Sequence, residues 1–157
     1  RSSRMSYSPL EILLDTTYLL PILGVDVPGV REVLEALDKL YEQGKAILFY
    51  SPFSLLEAIG RIAKMPHDID RVRDGLSAII ESGVFRIALP SLDGYVGALI
   101  GRVKGFRDLI DLLLYMTARD NGIRFLTRDE ELIGFIRSMG EDMGVFLSEE
   151  KLKSMKR

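Results

Sequence analysis

Residues 109–129, LIDLLLYMTARDNGIRFLTRD, decide the fold. From Leu112 to Met116 every position is apolar, so no face of a helix there could be left to water, and the stretch reads as a buried helix running from Phe106 to Asn121. Gly122 follows as the stop signal. Ile123-Arg-Phe-Leu126 is then a short buried strand, and Thr127-Arg128-Asp129 is the turn that opens a helix to about Met139. One charged residue, Asp111, interrupts the apolar helix.

Working outward, the same alternation recurs. Glu11-Ile-Leu-Leu14 ends at Asp15, and Thr16 begins a helical pattern. Val30 to Tyr41 carries apolar residues at helical spacing, closed by Gly44, and Ala46 to Tyr50 is a buried strand. Ser51-Pro52 opens a helix with a cap residue and a proline at its first position, running to about Met65. Asp68 to Ser82 is a further amphipathic helix, Val84 to Ala88 a third strand, and Pro90-Ser91 starts a helix in which Gly97 and Gly101 allow close packing against a neighbour. Val145-Phe-Leu147 is a last strand. Strands alternating with helices predict an α/β fold, a three-layer α/β/α arrangement with a mostly parallel five-stranded central sheet. One domain spans residues 5–150. Residues 1–4 precede Met5 and read as an expression remnant, and residues 151–157 read as a charged tail.

Composition narrows the chemistry. The chain has 157 residues, no cysteine and one histidine, His67, in a Met-Pro-His-Asp turn. Thiolate metal sites, disulfides and cysteine nucleophiles are excluded, and a Ser-His-Asp triad would have to pass through His67. A metal here must be held by oxygen ligands, which favours Mg2+ or Mn2+. The formal net charge of −2 gives no global sign of nucleic-acid binding, so local patches must supply it. No apolar run approaches the roughly twenty residues of a membrane span and no signal-peptide pattern opens the chain, so a cytoplasmic protein with no membrane partner is expected.

Each acid has a structural reading beside the functional one. Asp15 can cap the helix that follows it. Ser54-Leu-Leu-Glu57 matches a capping box, and Asp129, or Thr127 with Glu130, can cap the next helix. Asp111 resists this treatment, because an ionised carboxylate in a buried helix must be paired or bound to a cation. Arg107, one turn earlier, is the competing partner, while Asp108 adds to the negative charge. In parallel sheets, groups at the carboxyl ends of different strands meet where the strand order reverses. Asp15, Glu57, Asp111 and Asp129 all fall near such ends. A cluster of that kind repels itself unless a divalent cation neutralises it.

Taken in order, Asp15-Thr16 after an apolar strand, Glu57 in a helix entered through Ser51, Asp111 with Ala118 and Gly122, and Leu126-Thr127-Arg128-Asp129 resemble the PIN domain family, with its VapC-like ribonucleases, from Ile12 to Leu147. The resemblance implies a metal-dependent ribonuclease, often dimeric, frequently the toxin of a toxin–antitoxin pair. It further implies that Asp15, Glu57, Asp111 and Asp129 are the catalytic acids and metal ligands, with Asp108 as an additional metal-ligand candidate and Thr16 and Thr127 as polar neighbours. Arg102, Lys104, Arg107 and Arg128 form a candidate basic rim for an RNA backbone. A catalytically silent PIN-fold binding or assembly module is the alternative, and a haloacid-dehalogenase-like phosphatase a more distant one, since no second aspartate stands two positions after Asp15.

Overall fold

The computed structural model describes residues 8–155. Five strands form one sheet in the order β3-β2-β1-β4-β5, with β1 Leu10–Leu14, β2 Ala46–Tyr50, β3 Phe85–Ile87, β4 Arg124–Leu126 and β5 Phe146–Leu147. Every pairing is parallel, so the sheet is wholly rather than mostly so. The period-two rule of the strand divides the core between two faces. Ile12, Leu14, Leu48 and Leu126 point to one side, against α2 (Val30–Glu42), α3 (Pro52–Ile62), α4 (Ile69–Ile80) and α8 (Glu149–Ser154). Leu13 and Phe125 point to the other, against α5 (Leu92–Val103), α6 (Leu109–Asn121) and α7 (Glu130–Ser138). A short α1, Thr16–Leu19, continues directly from β1. No helix among the described residues is long and apolar enough to cross a membrane.

Several boundaries differ from the sequence reading by a few residues, and three of them bear on the site or on the chain's end. The helix expected from Phe106 starts at Leu109, because Gly105 takes a left-handed φ of 121° and Asp108 caps the helix by accepting from the Asp111 amide. The strand expected over Val145–Leu147 begins one residue later, after a 3-10 turn at Met143–Val145. The charged segment after residue 150 does not leave the fold at once. It continues α8, where Leu152 is buried with the α2 side of the core. Residues 1–7, 156 and 157 lie outside the described part of the chain.

From Asp111 to Ala118, eight successive residues of α6 are buried. That is possible only because α5 seats on it without side chains in the way. A Cβ on Gly97 would lie 2.9 Å from Met116 Sδ, and one on Gly101 3.0 Å from both Leu112 methyls. The expected glycine pair is therefore a packing surface, and it fixes the helix that carries Asp111.

Candidate metal and catalytic site

The strand order reverses between β1 and β4, since β1 continues to β2 on one side while β4 lies on the other. The crevice beyond the carboxyl ends of these two strands is where an open parallel sheet binds ligands. Asp15 leaves β1 there, its amide bonded to the last carbonyl of β4, Leu126 O, at 3.2 Å. Thr127 and Asp129 leave β4 beside it.

Asp15 is buried and both its carboxylate oxygens are engaged: Oδ1 accepts from the Thr16 amide at 2.7 Å and Oδ2 from the Thr127 hydroxyl at 2.5 Å. Each oxygen still has a lone pair to offer. Burial pushes its pKa up to about 6, a rise moderated by those two bonds and reinforced by Glu57 and Asp129. Glu57 accepts from the Thr16 hydroxyl at 2.5 Å and faces Arg61, one turn on, at 3.6 Å. The capping box expected of Ser54 and Glu57 does not form. Proline at the first helical position puts the cap at Ser51, whose Oγ accepts from the Phe53 amide, and Ser54 lies inside α3 with its hydroxyl on Ser51 O.

Asp129 does cap its helix, its Oδ1 accepting from the Glu131 and Leu132 amides. It also shares a hydrogen bond with the Asp111 carboxyl. Asp111 is buried, and among the described residues no ion pair reaches it from Arg107 or any other cation. Burial first, then the charges of Asp15 and Asp108, the bond with Asp129 and the charge of Glu57 push its pKa up to about 9. Glu57, Asp108 and Asp111 each place one carboxylate oxygen within 4.8 Å of the others. Asp15 and Asp129 border this trio and do not belong to it, whereas Asp108, ranked behind Asp111 in the sequence, does.

The donor set fits a hard divalent cation. It is all oxygen, carries surplus negative charge, and combines a convergent trio with two flanking carboxylates. The trio opens into a cleft of about 650 Å³ lined by Phe106, Arg107, Asp108, Asp111, Asp129, Glu131 and Phe135 among others. Of the expected basic rim, Arg107 lines this cleft. Arg102 and Lys104 are exposed near the end of α5 and do not line it. Arg128 is committed elsewhere: its guanidinium forks onto Glu149 at 2.8 and 3.2 Å and donates to Pro28 O at 2.9 Å. Glu149 gave no sequence signal, because its partners Arg128 and Tyr18 lie 21 and 131 residues away along the chain.

No family model matches the sequence, and none of the curated proteins compared with it does. Solved structures do match. The chain superposes on PAE2754 from Pyrobaculum aerophilum with a TM-score of 0.57 at 17% identity, covering 94% of this chain and 95% of that one. With VapC20 of Mycobacterium tuberculosis, described as a sarcin–ricin loop cleaving toxin, the TM-score is 0.58 at 14% identity, over 84% of this chain and 97% of that one. The fold is that of the PIN domain.

Proposed function

We propose that this chain is a metal-dependent endoribonuclease, with Mg2+ or Mn2+ held by Glu57, Asp108 and Asp111 and completed by Asp15 and Asp129. The observation that carries this reading is the uncompensated acid cluster at the topological switch point: five carboxylates adjoin one another, and Arg61, on Glu57, is the one cation paired with any of them among the described residues. A bound divalent ion would supply charge neutralisation for the scissile phosphate and an acidified water as nucleophile. The chain's own groups do the rest. Thr16 and Thr127 fix the orientations of Glu57 and Asp15, Asp129 lies beside the Asp111 carboxyl, and a carboxylate of the cluster next to the water would take its proton. The resemblance of the motifs and the likeness in fold to VapC20, a sarcin–ricin loop cleaving toxin, favour RNA as the substrate and a toxin role, with an antitoxin protein as the corresponding partner.

A homodimer belongs to the same reading. Leu92, Tyr95, Val96, Leu99, Ile100 and Val103 are 46–78% exposed and form the outer stripe of α5 at helical spacing. Together with Leu56 and Ile59 on α3, whose Phe53 touches Tyr95 edge-on, they offer apolar area on the order of the ~800 Å2 each partner gives a stable interface.

The function is tested by incubating labelled single-stranded RNAs with the full chain in Mn2+ and in EDTA. Metal-dependent internal cleavage supports it, and cleavage that persists undiminished in EDTA overturns it. Because Arg107 lines the cleft while Lys104 does not, Arg107→Ala is expected to weaken RNA binding more than Lys104→Ala. It should also lower the salt dependence by about one counterion's worth. Equal effects from the two variants, read by binding titrations at several salt concentrations, would remove Arg107 from the substrate path.

A further inference from the structure

Three successive residues of the turn after β4 face three different parts of the molecule. Thr127 donates to Asp15 Oδ2 and accepts from the Asp129 amide at 3.1 Å, and Asp129 meets Asp111. Between them Arg128, exposed at the surface, is turned towards Glu149 and Pro28 and does not line the cleft. Its fork grips Glu149, the first residue of α8, and its remaining amino group reaches Pro28 O at the entry to α2. The guanidinium lies against Gly29, which holds a left-handed φ of 78° and where a Cβ would stand 3.3 Å from Nη2. The same Glu149 oxygen that takes Arg128 Nε also accepts from the hydroxyl of Tyr18 at 2.5 Å. Tyr18 is fully buried on α1, three residues after Asp15. Glu149 is thus tied to the two segments that carry Asp15 and Asp129, and α8 itself is anchored by Leu152 in the core.

We infer that Glu149 is a positioning residue: through Arg128 and Tyr18 the C-terminal helix sets the spacing between Asp129 and Asp15 at the acid cluster. An ion pair this exposed, 35% and 20% at its two side chains, contributes little to stability, so the pair's own energy is a poor account of a three-way arrangement of this kind. Geometry is the better one, because metal ligands depend on the groups that orient them. Glu149 also sits below the usual carboxylate range: burial would raise it, and the bonds from Arg128 and Tyr18 outweigh that.

The inference rests on the metal-dependent reading, and the test separates the two. Mn2+ affinity is measured by calorimetric titration on the full-length wild type, Glu149→Ala, Arg128→Ala, the double variant and Glu149→Gln. Amide exchange at Glu131 and Leu132, both bonded to Asp129 Oδ1, is followed in parallel. Each alanine variant should bind Mn2+ about 10-fold more weakly, as loss of an outer-shell partner typically does, with the double variant no worse than either. Glu149→Gln, which can still accept from Tyr18 and Arg128, should fall between. Both amides should exchange faster in the alanine variants, and in Arg128→Ala, which leaves the Tyr18 hydroxyl on Glu149, the melting temperature of the metal-free chain should barely move. Wild-type affinity in all variants overturns the inference and leaves the function standing. So does recovery in the double variant, which would mean that freed Arg128 competes with the metal rather than that Asp129 drifts. A wild type that takes up no Mn2+ overturns both.

Discussion

Asp15→Asn is expected to lower RNA cleavage by about three orders of magnitude or more, to the level left when a metal site loses a charged ligand, and at the same time to raise the melting temperature of the metal-free chain. The two effects have one cause. Asp15 is buried beside Glu57 and Asp129, and desolvation together with their charges disfavours its ionised form. Asparagine keeps the shape and keeps an oxygen to accept from the Thr16 amide, and the Thr127 hydroxyl can rotate to accept from the new amino group instead of donating. What disappears is the negative charge. A group whose removal stabilises the fold while abolishing activity is held in place by function. Melting curves with EDTA and cleavage assays with Mn2+ read both halves, and unimpaired cleavage by the variant would remove Asp15 from the site.

The second large effect is on pH. In the folded chain Asp15 titrates near 6 and Asp111 near 9, against an ordinary 3.8 for both. Between these limits the folded state binds more protons than the unfolded one, so stability is fully present below about pH 3.8 and is lost as pH rises through the folded values. Asp15 alone accounts for about 3 kcal/mol of that loss between pH 4 and pH 6, and Asp111 extends the decline to about pH 9. Metal-free protein should therefore melt progressively lower from pH 5 to pH 9. Saturating Mn2+ should offset or reverse the trend, because a cation that binds only the folded chain stabilises it by mass action and competes with the protons. A melting temperature in EDTA that is flat or rises over this range would mean that the carboxylates are not crowded as described.

How much of this was legible in the sequence depends on the range over which the cause acts. The buried helix, the glycine stop and the strand of residues 109–129 are local patterns, and they appear where the periodicity placed them. Asp111 was legible for a similar reason, a charge in an apolar run, although the sequence could not show that Arg107, one turn earlier, makes no ion pair with it. The Ser51-Pro52 start of α3 was legible and is where the helix begins, so the competing Ser54–Glu57 capping pattern falls inside the helix and does not form. Asp108 was read as a residue inside the helix, but the left-handed Gly105 delays the first turn and leaves it as a cap beside the acids. Arg128 was taken as part of an RNA-facing rim because it stands next to Asp129. Its partner Glu149 is 21 residues away, and Tyr18 is 131 residues from Glu149, so no window of sequence contains the arrangement.

Gly101 of α5 rests on Leu112, the neighbour of Asp111, so closely that a methyl group there would stand 3.0 Å from both Leu112 methyls and push them aside. A residue larger than alanine at this joint would exceed what Leu112 can yield, and the strain would be transmitted as a shift of the acid at the start of α6. Damage there would first be seen as an enzyme that still folds but has lost its grip on the cation, and a survey of inactivating substitutions should find glycines of α5 among them.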